Sequence, residues 1–93
     1  MDRLTVMRAF CRIVERGSFA KAAEDLDVSP AMLSRDLKRL EKHLDCALIA
    51  RTTRRMSLTE HGRLYYAQVQ RILADIAQTE DDVRRAVGRI SGR

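Results

Sequence analysis

The sequence has few aromatic residues and no long apolar segment. Its aromatic side chains are Phe10, Phe19, Tyr65 and Tyr66, which offer too little surface to stack the bases of a single-stranded nucleic acid. The longest apolar runs are only a few residues, so no segment is predicted to span a membrane. No apolar stretch follows Met1, so no signal peptide is predicted and we expect a cytoplasmic protein.

Cysteine and histidine are too sparse to predict a metal site or a catalytic centre. Cys11 and Cys46 are far apart and suggest neither a disulfide framework nor a metal cluster. His43 and His61 have no second ligand at metal-binding spacing on their helices. No nucleophile–base pair and no glycine-rich phosphate loop is visible. We therefore predict no enzyme, with no catalytic residue, metal or cofactor.

The composition indicates one small domain with an anionic partner. The chain has 93 residues, of which 45% are hydrophobic, and its 18 basic and 13 acidic residues give a net charge of +5. This balance favours nucleic acid or an acidic membrane as partner. Residues 46–58 carry Arg51, Arg54 and Arg55 with no acidic residue. That segment is therefore the strongest local concentration of uncompensated positive charge.

Helical periodicity predicts three helices in the first half of the chain. The first ends at Gly17, the second follows Ser18 as N-cap, and the third follows Ser29 with Pro30 at its first position. Asp45 is predicted to end the third helix in a left-handed conformation. The predicted apolar faces are Leu4, Met7, Cys11 and Val14, then Phe19, Ala22, Ala23 and Leu26, then Leu33, Leu37, Leu40 and Leu44.

A β-hairpin and a long helix are predicted to follow. The short apolar segments 48–50 and 56–58 are interpreted as two strands, joined by residues 52–55. Thr59 is predicted to cap a last helix that ends near Val87, before Gly88. The fold class is therefore mainly α with a small β-hairpin.

The second and third helices have the arrangement of a helix-turn-helix, whose second helix can enter a major groove. On a helical wheel, one face lies opposite the leucines and has no acidic residue. It consists of Ala31, Ser34, Arg35, Lys38 and Lys42. An ordinary amphipathic helix with a solvated basic face is the alternative interpretation.

The residue types on this face suit DNA. Ala31 and Ser34 are short enough to approach base edges, and Arg35 can form a bidentate pair with guanine. Lys38 or Lys42 can reach phosphates, and the helix N-terminus with the Ser29 hydroxyl suits a phosphate oxygen. The hairpin arginines would repel one another in a free surface loop but would be stabilised along a phosphate backbone or in a narrow minor groove.

Taken together, these residues resemble the LysR-type transcriptional regulators. The matching residues are Gly17-Ser18-Phe19, Ala22-Ala23, Leu26, Val28-Ser29, Leu33-Ser34-Arg35, Leu40-Glu41, Leu44, Leu48, Arg51-Thr52-Thr53-Arg54, Leu58-Thr59 and Gly62. The resemblance covers nearly the whole chain. The sequence departs from the family at Asp45, where glycine is usual, and at Ile49, where phenylalanine is common.

The resemblance implies a winged helix-turn-helix domain over residues 1–58, with the helix-turn-helix at about 18–37, and a dimerising linker helix over 59–93. By position, Pro30, Ala31, Ser34 and Arg35 would contact bases. Phosphate contacts would come from Ser18, Ser29 and Lys38, and wing contacts from Arg51, Thr53 and Arg54. The chain ends where the family's effector domain would begin. The resemblance does not predict which operator sequence this chain binds.

The last helix carries a heptad seam. Its apolar steps alternate between four and three residues through Tyr65, Val69, Ile72, Ile76, Thr79, Val83, Ala86 and Ile90. A helix from Thr59 to Val87 would be about 43 Å long, longer than a domain of this size, so its own chain leaves much of the seam uncovered. A second copy is the simplest cover, with Tyr65, Val69, Ile72, Ile76 and Val83 at the interface.

The sequence thus predicts a bacterial homodimer that binds an interrupted palindrome in double-stranded DNA. A different winged-helix regulator is one alternative. A coiled-coil interaction module whose basic wing binds an acidic protein is another. A lone helix folded back on its own domain is the alternative to the dimer, whereas a membrane-surface helix is disfavoured by Asp75 and residues 80–82.

Overall fold

Along residues 2–51 and 55–91, which the computed structural model describes, the chain forms four helices and a two-stranded antiparallel sheet. The elements are α1 (Arg3–Arg16), α2 (Phe19–Leu26), α3 (Pro30–Leu44), β1 (Ile49–Arg51), β2 (Met56–Leu58) and α4 (Glu60–Ser91). This order confirms the predicted mainly helical fold with a β-hairpin before a long last helix.

The ends of the first three helices lie where the sequence predicts them. Ser18 and Ser29 each accept a hydrogen bond from the backbone N–H three residues later, at 3.2 and 3.1 Å. Gly17 ends α1 with a φ of 66°, and Asp45 ends α3 with a φ of 61°. Asp27 ends α2 in the same left-handed conformation, with a φ of 58°, which the sequence pattern did not indicate.

The buried face of α1 is rotated away from the predicted stripe. Val6, Phe10 and Ile13 are at most 4% exposed and form its centre. Because α1 packs against α2, α3 and α4, its covered surface is wider than one stripe, and helical periodicity alone does not show where it is centred. Of the predicted residues Leu4, Met7, Cys11 and Val14, Cys11 is buried and the other three are half-buried.

The predicted leucine stripe of α3 packs into the same core. Leu33, Leu37 and Leu40 are at most 3% exposed, and Leu44 is half-buried. Opposite them, the two adjacent alanines of α2 are fully buried, and their small side chains let α2 and α3 pack closely. The core therefore fixes which face of α3 is turned away from the protein.

The two strands form a hairpin held against α3. Ile49 pairs with Leu58 and Arg51 pairs with Met56. At the start of the hairpin, the Glu41 carboxylate accepts hydrogen bonds from the backbone N–H groups of Leu48, at 2.7 Å, and Ile49, at 3.2 Å. Glu41 thus connects the end of α3 to the first strand.

We expect Glu41→Ala to lower the free energy of unfolding by about 1–3 kcal/mol, because two part-buried N–H groups would lose a charged acceptor. Glu41→Gln keeps an acceptor oxygen at nearly the same place and should lose clearly less. Urea unfolding of the two variants measures the difference. Equal losses would mean that the hydrogen bonds to the hairpin contribute little.

The last helix is longer than predicted. It continues through Gly88 to Ser91, so the predicted end near Val87 is wrong. A glycine within a helix costs only about 1 kcal/mol, and ion pairs of Arg84 and Arg85 with acidic residues of the preceding turn support this part of α4.

Only the first part of α4 packs on the core, where the Phe10 ring meets Tyr65 and Tyr66 edge-on at 5.4 and 6.3 Å. The molecule is consequently elongated, with extents of 59 × 26 × 22 Å.

Candidate nucleic-acid interface

The first turns of α3 form an exposed surface. Pro30, Ala31 and Arg35 are exposed, and Ser34 is half-buried. Because the leucine stripe anchors the opposite side of α3, these residues are held in a fixed orientation. A helix that presents short side chains and one arginine in this way can approach base edges in a major groove.

Three basic residues of α3 lie on the same face, whereas Arg39 of the same helix has an ion pair with Asp36. Arg35, Lys38 and Lys42 are exposed, and none of them has an ion pair with a described carboxylate. In contrast, Arg12 and Arg16 of α1 share the carboxylate of Asp25 of α2. The positive charge of α3 is therefore available to an anionic ligand.

Ser18 and Ser29 lie at the N-termini of α2 and α3. Each hydroxyl oxygen already accepts a backbone hydrogen bond within its own helix. Because a hydroxyl also has one hydrogen to donate, each can donate to a phosphate oxygen while it caps its helix. Ser29 is exposed and Ser18 is half-buried.

Arg51 joins the hairpin to both helices of the helix-turn-helix. Its guanidinium donates a hydrogen bond from Nη2 to Ser34 Oγ at 3.1 Å, and its Cζ lies 4.2 Å from the centre of the Phe19 ring. The sequence predicted Arg51 as a wing contact but gave no signal for these two partners, which lie far away along the chain. Thr53 and Arg54, the other predicted wing contacts, lie outside the described residues.

The predicted dimer seam is only partly available to a second chain. Ile72 and Val83 are 43% and 58% exposed, and Ile76 is half-buried. Val69, however, is fully buried within a single chain, so its side chain cannot form the predicted contact. Tyr65 is half-buried against Phe10. The uncovered part of the seam thus starts at Ile72, and the side chain of Ile90 lies outside the described residues.

The cysteines and histidines are dispersed. Burial raises the pKa of the Cys11 thiol to about 11, as expected for a core residue. Cys46 is half-buried, and His43 and His61 are exposed. Across residues 2–51 and 55–91, no group of three or more potential ligands could hold a metal ion. No described helix is both long and apolar enough to cross a membrane.

A helix-turn-helix followed by a two-stranded β-hairpin defines a winged helix-turn-helix domain. Residues 4–63 match the family model described as "Bacterial regulatory helix-turn-helix protein, lysR family". The chain therefore belongs to the LysR family of bacterial regulatory proteins.

Relatives named as transcriptional regulators agree with this assignment. PtxR of Pseudomonas aeruginosa is 43% identical over 90 residues, which cover 97% of this chain and 29% of PtxR. CrgA of Neisseria meningitidis is 45% identical over 82 residues, which cover 88% of this chain and 26% of CrgA. The chain thus spans less than a third of the length of these relatives.

Solved structures of DNA complexes have the same fold. The BenM DNA-binding domain with the benA site 1 DNA superimposes with a TM-score of 0.87 at 31% identity, over 100% of both chains. The CbnR DNA-binding domain with DNA gives a TM-score of 0.83 at 30% identity, over 94% of this chain and 99% of that chain.

Proposed function

We propose that this chain binds double-stranded DNA sequence-specifically, as a homodimer on an interrupted palindrome. Residues 1–58 form the DNA-binding part and residues 59–93 the linker and dimerisation part. The observation that carries the proposal is the exposed face of α3, whose cations have no ion pair with a described carboxylate. The match to DNA-binding domains seen in complexes with DNA supports it.

The proposed contacts divide into base recognition and backbone positioning. Base edges are contacted by Pro30, Ala31, Ser34 and Arg35, which protrude from the first turns of α3. Phosphates are bound by Ser18, Ser29, Lys38 and Lys42, and wing contacts come from Arg51, Thr53 and Arg54. Phosphate contacts fix the position on the duplex, whereas base contacts carry the sequence preference.

The proposed dimer forms along α4. Ile72, Ile76 and Val83 form its centre, with Tyr65 at the edge, because these residues share one face that the chain's own core leaves partly uncovered. Pairing two long helices would place two copies of α3 on one side of the duplex, about one helical turn apart. The palindrome follows from this two-fold symmetry.

The role in the cell follows from the family. We infer a non-enzymatic transcriptional regulator in the bacterial cytoplasm, associated with the nucleoid, that needs no cofactor for DNA binding. An effector domain outside this chain would supply control by a small molecule.

Selection from randomised duplexes at near-physiological salt tests the proposal. An enriched, two-fold symmetric motif is the expected result, and the spacing of its halves gives the distance between the two copies of α3. Binding without enrichment that disappears as salt rises would overturn sequence specificity. It would favour a basic interaction module for an acidic protein.

Arg35→Ala should weaken binding to the selected site by about 1–3 kcal/mol and flatten the preference at the base pair that Arg35 contacts. The reason is that a bidentate guanine contact discriminates between bases, whereas a phosphate contact does not. Titrations with the selected site and with a scrambled duplex measure both effects. Lys38→Ala is the matched control, with an equal loss on both duplexes. An equal loss for Arg35→Ala would make Arg35 a phosphate contact.

A further inference from the structure

The contact between Arg51 and Ser34 bears on how α3 selects bases. Ser34 is one of the proposed base-contacting residues, and its Oγ lies 3.1 Å from Nη2 of Arg51. The guanidinium of Arg51 is also held over the Phe19 ring, with 4.2 Å between Cζ and the ring centre. Two elements other than α3 therefore fix the position of the group that contacts the Ser34 hydroxyl.

The chemistry of the two side chains gives this contact a direction. Arginine has only N–H donors, so the Ser34 oxygen must be the acceptor. One lone pair is then occupied by a cationic donor, while the hydroxyl hydrogen remains free to be donated. A hydrogen bond to the oxygen also polarises the O–H group and strengthens it as a donor.

We propose that Arg51 is a positioning residue for specificity, which makes Ser34 a hydrogen-bond donor toward the bases. Ser34 then favours base edges with acceptors in the major groove, namely guanine N7 and O6, adenine N7 and thymine O4. It disfavours the amino group of cytosine, which would have to share the oxygen with a guanidinium. This proposal rests on the proposed function and adds a role for Arg51 beyond a wing contact.

A role limited to phosphate binding makes different predictions. Loss of a phosphate contact lowers affinity equally on all sequences and reduces the dependence of binding on salt by about one counterion. Lysine can replace arginine in such a contact because charge is sufficient. Lysine cannot reproduce a planar guanidinium that stacks on Phe19 and donates to Ser34 at the same time.

The test is the same duplex selection with four proteins: the unchanged chain, Ser34→Ala, Arg51→Lys and the double variant. We expect Ser34→Ala to reduce discrimination against cytosine at one position of each half-site by about tenfold, as for the loss of one good hydrogen bond. Arg51→Lys should reduce discrimination against cytosine at the same position. The double variant should lose no more discrimination there than either single variant.

The outcomes separate this proposal from the proposed function. If Arg51→Lys keeps the base preference of the unchanged chain, or changes it at a position that Ser34→Ala does not affect, the positioning role is overturned. If losses at the shared position add up in the double variant, the two residues act independently and the proposal is also overturned. If the unchanged chain enriches no motif, the proposed function itself fails. Thermal unfolding of each variant ensures that only folded proteins are compared.

Discussion

Ile76→Asp is expected to convert the dimer into a monomer and to weaken binding to a two-half-site duplex by at least about hundredfold. Ile76 lies between Ile72 and Val83 on the face of α4 that the chain's own core leaves partly uncovered. A carboxylate there would be buried without a partner in a dimer, which costs several kcal/mol. A monomer holds one half-site at a time and loses the effective concentration that links the two.

Sedimentation measures the mass of the protein. Titration with duplexes that carry one or two half-sites measures the linkage, which is the gain in affinity from binding both half-sites at once. Ala74→Asp is the matched control, because Ala74 is exposed and lies nearly opposite Ile76 on the helix. It makes the same change in charge and should leave both the mass and the linkage unchanged. An unchanged mass for Ile76→Asp would rule out this face as the interface.

Gly62→Ala is expected to lower the free energy of unfolding by about 3 kcal/mol or more. A Cβ at Gly62 would overlap the carbonyl oxygen of Leu48 and lie 2.9 Å from its carbonyl carbon. The same oxygen accepts a hydrogen bond from the backbone N–H of Thr59, so the backbone there cannot shift freely. The methyl group would force α4 away from the hairpin, and overpacking of this kind is costly.

Thermal unfolding should show a melting temperature lower by at least about 10 °C for Gly62→Ala. Gly88→Ala provides the control with the opposite sign. A Cβ at Gly88 meets nothing within 4 Å, and alanine favours a helix by about 0.5–1 kcal/mol relative to glycine. A melting temperature that rises for both variants would show that α4 does not approach the hairpin this closely.

Local interactions could be predicted from the sequence because their partners lie within one helical turn. Ser18 and Ser29 cap helices through N–H groups three residues away, and Gly17 and Asp45 end helices in the predicted conformation. Gly62 is among the residues that resemble the LysR family, but the sequence does not show why a glycine is needed there. The folded structure shows the reason, which is the close approach of the Leu48 carbonyl group.

The part of the candidate site that lies on α3 could be predicted from the sequence, because its residues are close together along the chain. The wheel of α3 separated its leucines from Arg35 and the lysines, since both sets lie on one helix with a known period. It did not show that Arg51 of the hairpin contacts Ser34 and Phe19. Nor did it show that Val69 is already covered within its own chain. Such contacts depend on how separate elements pack, and periodicity carries no information about packing.

By itself, then, the sequence determined the order of the helices, the ends of the first three, the leucine face of α3 and the family, because each depends on residue type at short spacing. Tertiary structure decided which face of α1 is buried, how Glu41 holds the hairpin, where Arg51 is anchored and where the free face of α4 begins. The physical reason is that these features join elements distant along the chain. Their positions are fixed only when the shared core forms.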